Sequence, residues 1–210
     1  MKTQIFPINE MTPQELSQVV RGIENGAVAA LATDTVYGIA ANAFNEKAVQ
    51  HIYRLKQRPA GMALQILVGS VSAARQIVAW DERADKLAQT YWPGALTMIL
   101  PPNEKGQSLR RGFEGLGLRV PNHAGLLRLL SKLSIPLACT SANIHGHRVI
   151  TKEKDLIEFC DEKVDFILTD GTLSPVASSV IDLTVQPAVL LREGALLRAD
   201  LERVLKVKLK

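Results

Sequence analysis

Between Thr12 and Gly26 the apolar residues Leu16, Val19, Val20 and Ile23 return at intervals that place them on one face of an α-helix. Thr12 and Glu15 have the spacing of a capping box, and Pro13 sits at the first helical position, where its missing N–H is no loss, so the helix is predicted to start there. Gly26 is placed to end it or to shape the turn behind it. The run that follows, "AVAALA", is too short for a helix and reads as a strand buried on both faces. From the N-cap candidate Asn45, "NEKAVQHIYRLKQRP" returns to helical spacing with Ala48, Val49, Ile52 and Leu55 inward, until Pro59 stops it.

The alternation continues. "ALQILV", "ALTMIL", "LGLRV" and "IPLACT" read as short apolar strands, with "SAARQIVAWDERADKLAQTYW" and "HAGLLRLLSKL" as helices among them. "VDFILTDGTLSPVASSVIDLTVQPAVLLREG" carries three β-like runs broken by Gly, Ser and Pro, and "RADLERVLKVKLK" predicts a basic terminal helix. The least regular stretch, "PPNEKGQSLRRGFEGLG", holds Lys105, Arg110 and Arg111 and is expected to be a mobile loop. Strands alternating with helices predict an α/β fold around a largely central mixed sheet. With no repeat and no linker, one domain over residues 1–210 is expected.

Composition narrows the class only a little. Of 210 residues, 47% are apolar and 22% charged, with a net charge of +4, so the chain reads as soluble globular material with room for a polyanionic partner such as a nucleotide or RNA. Cys139 and Cys160 have neither metal-ligand spacing nor a disulfide framework around them, which points to a reducing, cytoplasmic setting. No run approaches the roughly 20 apolar residues of a membrane helix, and the N-terminus lacks a signal-peptide core.

The candidate chemistry lies at strand and helix exits. "TDTVYGIA", Thr33 to Ala40, puts hydroxyl, carboxylate and hydroxyl where the first buried strand ends. Lys56 and Arg58 close a helix, where two readings stand: cations favoured by the helix dipole and otherwise solvated, or a pair aimed at a phosphate or carboxylate. In "TSANIHG", Ser141 and Asn143 alternate, so both point to one side of an extended chain beyond a strand end, either as a turn or as part of a ligand site. Arg119 in "LGLRVP" interrupts an apolar run and needs an ion pair or a bound anion. Ser178 in "SSVIDL" and Arg192 in "LLREG" repeat that pairing of hydroxyl and guanidinium, and together these residues outline a pocket for a ligand with several anionic groups. Phosphate-loop, dinucleotide, zinc-protease and nucleophile-elbow motifs are absent from the sequence, and the four histidines form no ligand set, so no metal site is expected.

The ordered set "TDTVYGIA", "KQRP", "WPGALT", "GLRVP", "TSAN", "SSVID" and "LLREG" resembles the YrdC/TsaC family of threonylcarbamoyl-adenylate synthases from about Gly26 to Gly194. Lys56, Arg58, Ser141 and Asn143 resemble the synthase branch rather than the related YciO branch. The resemblance implies a twisted mixed sheet, flanked by helices, curving around a basic cavity. It implies a nucleotidyltransferase that makes threonylcarbamoyl-AMP and pyrophosphate from L-threonine, bicarbonate and ATP, for transfer by a separate complex to adenosine 37 of tRNA. ATP is then a substrate, with Mg²⁺ bound through its phosphates.

Carried onto this sequence, Thr35, Arg119, Ser141 and Ser178 would hold threonine or its carbamate. Lys56, Arg58, Asn143 and Arg192 would hold ATP, with Lys56 and Arg58 catalytic. The chain resembles the short, single-domain form. It departs from the family pattern at Met62, Ala63 and Leu64, where many members have Asn-Pro-Leu, at Ala95 in place of a proline, and at Ser179 in place of threonine. Two other readings remain open at this point: an RNA-binding module for tRNA or double-stranded RNA, resting on the basic segments, and a carbamoyl-adenylate-forming enzyme with a different acceptor.

Overall fold

The capping box forms: Thr12 Oγ1 accepts from Glu15 N–H at 3.3 Å, and the Glu15 carboxylate accepts from Thr12 N–H at 2.7 Å. The computed structural model describes residues 2–59, 61–174 and 176–210. In chain order its elements are β1 (Gln4–Pro7), α1 (Pro13–Glu24), β2 (Val28–Leu31), β3 (Gly38–Asn42), α2 (Glu46–Lys56), β4 (Gln65–Leu67), α3 (Val71–Arg75), α4 (Glu82–Tyr91) and β5 (Leu96–Leu100). They continue through β6 (Leu116–Arg119), α5 (Ala124–Leu130), β7 (Leu137–Ser141), α6 (Glu153–Cys160), β8 (Phe166–Thr169), β9 (Ser179–Asp182), β10 (Val189–Arg192) and α7 (Arg198–Leu205).

All strands join one mixed sheet in the order β1-β8-β2-β3-β7-β4-β6-β5-β9-β10. β1, β8 and β2 run parallel, β3 and β7 antiparallel beside them, and the second half combines parallel β4/β6 and β5/β9 pairs with antiparallel β5/β6 and β9/β10. β2, β3 and β8 are buried along their whole length, as continuous apolar strands require. α1 and α2 pack on β3, and Val19, Ile23, Val49 and Ile52 are fully buried. The α/β architecture read from the alternation is therefore the one observed.

Four local expectations change. β3 was not legible as a strand: "GIAAN" follows the Thr33–Tyr37 turn and runs back antiparallel to β2, with Leu31 opposite Gly38. The long helix expected after Ser72 divides into α3 and α4, because Asp81 caps a new helix by accepting from Ala84 N–H at 2.9 Å. β1 and α6 arise in segments with no predicted element. The stretch expected as a mobile loop holds a 3₁₀ helix over Glu104–Leu109 and is tied down by Arg111, which pairs with Glu46 at 3.1 Å and donates to the Ala43 carbonyl at 2.5 Å.

Candidate functional site

A cavity of about 530 Å³ is lined by strands of the sheet's second half and by the turn that follows β2. The strands line it with alternate residues, as pleating dictates: Gln65 on β4, Thr97 and Ile99 on β5, Val180 and Asp182 on β9. β6 contributes Gly117 and Arg119, and Gly115 precedes it. Gly117 is the side-chain-free position on β6 that hollows the floor, whereas a Cβ at Gly115 would come within 2.5 Å of Ile99 Cγ2. At Gly117 an added Cβ would meet nothing nearer than Thr97 Cγ2 at 3.4 Å, so the glycine leaves space rather than relieving a clash.

The turn between β2 and β3 forms one wall. Thr33 Oγ1 accepts from the N–H groups of Thr35 and Val36, each at 3.1 Å, and donates to the Val36 carbonyl at 2.6 Å, which closes the turn on itself. Tyr37 is fully buried and pins the turn to the exit of β8, its hydroxyl donating to the Gly171 carbonyl at 2.8 Å and accepting from Asp170 N–H at 3.0 Å. Thus Thr33 shapes the turn and Tyr37 anchors it, while Thr35 lines the cavity.

Arg119, only 3% exposed, crosses to that wall. Its guanidinium donates from Nε to the Gly94 carbonyl at 2.8 Å, from Nη1 to Thr35 Oγ1 at 3.1 Å and from Nη2 to Asp34 Oδ1 at 2.6 Å. β2 and β6 are separated in the sheet by β3, β7 and β4, so this contact requires the sheet to curl around the hollow. The ion pair expected of a buried arginine is present, and Asp34 supplies it. Three of the five guanidinium hydrogens are used, and two remain.

Lys56 and Arg58 part company. α2 ends at Lys56, Gln57 takes the left-handed conformation at φ 50°, and the two side chains diverge. Arg58 lines the cavity, donates from Nη2 to the Ala63 carbonyl at 2.9 Å, and has a buried Nε without a partner. Lys56 is 1% exposed and does not line the cavity. Its ammonium donates to the Ser141 carbonyl, to the Asn143 carbonyl at 2.7 Å and to Asn143 Oδ1 at 3.0 Å.

Asn143 is equally occupied: Oδ1 also accepts from Ser141 Oγ at 2.6 Å, and Nδ2 donates to the carbonyls of Ile144 and His147 at 2.9 and 2.8 Å. The pair of cations aimed together at one anion is therefore corrected. Lys56 turns inward because the exposed carbonyls of the β7 exit need a three-donor partner, and Asn143 turns inward with it. Both hold the Ser141 loop, and Ala142 N–H binding the Tyr37 carbonyl at 2.7 Å joins that loop to the turn carrying Thr35. Burial, with Arg58 nearby, lowers the Lys56 ammonium to about 8.

At the far side, Arg192 donates from Nε to the Ser178 carbonyl at 2.9 Å and from Nη2 to Ser178 Oγ at 3.1 Å. Burial and the nearby Arg119 push the Arg192 guanidinium below its ordinary range, and burial does the same for Arg58. Guanidinium groups crowded by burial and by one another gain from an anion between them. The wall also bears Glu114 and Asp182, the latter accepting from Thr184 N–H at 2.8 Å, and the Cys139 thiol, which burial pushes up to about 12 and so keeps protonated. Ser179 is fully used within the fold, donating to the Leu196 carbonyl and accepting from Gly194 and Leu196 N–H.

The structure thus brings Thr35, Arg58, Arg119, Ser141, Ser178 and Arg192 to one cavity, with Lys56 and Asn143 behind its wall. Asp34, Gln65, Thr97 and Gly117 were missed. The signal for Thr97 and Gly117 was the period-two alternation in "ALTMIL" and "LGLRV", which puts each on the same strand face as a lining neighbour.

The Sua5/YciO/YrdC family model, described as "Telomere recombination", matches residues 21–194. A Pyrococcus abyssi protein named threonylcarbamoyl-AMP synthase is 36% identical over 208 residues, covering 97% of this chain and 61% of that protein. The crystal structure of P. abyssi Sua5 complexed with L-threonine superposes with a TM-score of 0.91 at 33% identity, over 99% of this chain and 63% of that one. Escherichia coli YciO superposes with a TM-score of 0.84 at 26% identity, over 92% and 96%. The chain spans about three fifths of the two P. abyssi chains.

Proposed function

The chain belongs to the Sua5/YciO/YrdC family, and from that premise we propose that it is a threonylcarbamoyl-AMP synthase, a nucleotidyltransferase using L-threonine, bicarbonate and ATP. The observation that carries this reading is the convergence of three guanidinium groups and three hydroxyls, from Arg58, Arg119, Arg192, Thr35, Ser141 and Ser178, on a cavity of about 530 Å³. That volume lies within the range of small-molecule sites. Two anionic ligands, an amino acid carboxylate and a triphosphate, match the three guanidinium donors.

In this reading the threonine amine attacks the carbon of bicarbonate, water leaves, and a carbamate forms. A carbamate oxygen then attacks the α-phosphorus of ATP, and the bond to the β-phosphate oxygen breaks to release pyrophosphate. The protein supplies orientation and charge rather than covalent chemistry. Arg119, already locked by Asp34, Gly94 and Thr35, has two hydrogens left for the threonine carboxylate. Ser141 Oγ, whose hydrogen goes to Asn143 Oδ1, is left to accept from the amino acid, and Ser178 offers a hydroxyl to the amino acid or its carbamate. Arg58 and Arg192 hold the phosphates.

Lys56 and Asn143 act at one remove, by fixing the loop that presents Ser141. Among the described residues no group of three His, Cys, Asp or Glu side chains could hold a metal ion. Mg²⁺ in this reading enters on the ATP phosphates. The product passes to a transferase acting on adenosine 37 of tRNA, which assigns tRNA to that later step and the enzyme to the cytoplasm. Among the described residues no helix is long and apolar enough to cross a membrane.

The test is pyrophosphate release by the purified protein. It should require L-threonine and bicarbonate together with ATP. Release that is indifferent to threonine would count against the synthase, and activity with carbamoyl phosphate in place of bicarbonate would favour a different carbamoyl-adenylate chemistry.

A further inference from the structure

Across the cavity floor runs a hydrogen-bonded row that the roles above do not require. Gln65 on β4 donates through Nε2 to Thr97 Oγ1 on β5. Thr97 Oγ1 lies 3.1 Å from Ser178 Oγ, which in turn accepts from Arg192 Nη2 at 3.1 Å. β6 separates β4 from β5, and the register places Gln65 beside Gly117, so an amide reaches the next strand but one because no side chain stands between. Thr97 and Ser178 are each 4% exposed, and both line the cavity.

The hydrogens of this row can be counted. An amide nitrogen and a guanidinium only donate, so Thr97 Oγ1 already accepts from Gln65, and Ser178 Oγ already accepts from Arg192. The two hydroxyls carry two hydrogens, and the bond between them uses one. The second is left on whichever hydroxyl is not donating, and among the described residues no other acceptor takes it. A free hydroxyl hydrogen beside a guanidinium suits an anionic oxygen.

We infer that Thr97 is a positioning residue: its hydroxyl holds Ser178, and through Ser178 Arg192, so that the row presents one hydroxyl donor and one guanidinium to an anionic oxygen of a substrate. That oxygen belongs either to the threonine carboxylate or to a phosphate of ATP. The choice of ligands rests on the synthase reading, whereas the row itself does not.

The experiment compares the wild-type protein with Thr97→Val, which removes the hydroxyl and keeps the shape, and with Thr97→Ser, which restores the hydroxyl. Crystals of the ligand-free variants are read first. In Thr97→Val, Arg192 Nη2 should leave hydrogen-bond distance of Ser178 Oγ, and in Thr97→Ser it should stay. This readout needs no reaction, so it decides the row even where the wild-type protein binds neither ligand and the synthase reading fails.

Calorimetry then has two arms, L-threonine alone and ATP alone. Thr97→Val should weaken binding about tenfold in the arm whose anion meets the row. KM for that substrate should rise by a similar factor while kcat changes less than about threefold, and Thr97→Ser should return both toward wild type. Gln65→Met removes the donor at the other end from a half-buried position and should weaken the same arm by a smaller factor, which covers a Thr97→Val protein that does not fold. An unmoved Arg192, unchanged affinity for a ligand set that the wild-type protein does bind, or a Thr97→Ser variant as impaired as Thr97→Val overturns the inference.

Discussion

Removing the Asp34 carboxylate should unlock Arg119 and lower stability and activity together. The pair is buried, with side-chain exposures of 13% for Asp34 and 3% for Arg119, and its oxygen and nitrogen are 2.6 Å apart. At an effective dielectric of about 20 the Coulomb attraction at that distance is about 6 kcal/mol, and desolvation of the two ions offsets part of it. Deleting one partner of a buried pair costs about 3–5 kcal/mol, because the survivor stays charged and uncompensated. In Asp34→Ala the guanidinium keeps Gly94 O and Thr35 Oγ1 but has no counter-ion.

For a chain of this size each kcal/mol moves Tm by roughly 2–4 °C, so calorimetry should find a fall of about 6–20 °C. Asp34→Asn retains an acceptor oxygen without its charge and should fall between Asp34→Ala and wild type. Binding of L-threonine should weaken in the same order, since an arginine freed from its anchor no longer presents its remaining hydrogens in one place. An Asp34→Ala protein that melts within 1 °C of wild type, or binds threonine equally well, would refute the anchoring argument.

Three further outcomes follow from the same geometry. Lys56 has a folded pKa of about 8 against 10.5 for an ordinary lysine, so between those values the unfolded chain binds more protons and the Lys56 contribution to stability rises with pH. Over the same limb a neutral amine has only two hydrogens for three acceptors, so turnover should fall with an apparent pKa near 8. The wild-type minus Lys56→Met difference, measured by denaturant midpoint and by rate, should show both trends, and a flat difference would contradict them. Gly117→Leu should fill the cavity floor and part Gln65 from Thr97, reducing affinity for threonine or ATP by at least about tenfold while Tm falls by only about 2–4 °C, the cost of one hydrogen bond, because the Cβ itself has space; unaltered binding of both ligands would show that the floor is not where they sit. Arg58→Ala should lower turnover by about a hundredfold or more with the fold retained, as expected when a preorganised donor to developing charge is lost, and an unimpaired rate would take Arg58 out of the mechanism.

How much of this was legible in the sequence differs by the kind of signal. Capping boxes and periodicity located α1 and α2 because those signals are local: Thr12, Glu15 and Asn45 act within their own first turns. β3 was hidden because "GIAAN" alone has no alternation, and its strand character comes from pairing with β2 and β7 on either side. Residue type identified the buried arginine at 119 and its need for a counter-ion. It could not name Asp34 as the partner, since 85 residues separate them and only the curl of the sheet brings them together.

Lys56 shows the opposite limit. Its place at a helix end suggested a cation either solvated or aimed at a ligand, yet the orphan carbonyls of Ser141 and Asn143 recruit it inward, and nothing within α2 announces those carbonyls. The hydroxyl and guanidinium residues read from the sequence do line one cavity, although Ser178 stands at the entrance of β9 and only Thr35, Arg119, Ser141 and Arg192 stand at strand ends or exits.

The central proposal is best tested by following carbon. The purified protein is incubated with radiolabelled bicarbonate, L-threonine and MgATP, and the nucleotide products are separated. The account predicts label in an adenylate that also contains threonine, formed one-for-one with pyrophosphate and absent when threonine is omitted. Pyrophosphate release with no labelled adenylate, or a labelled adenylate that forms without threonine, would contradict it.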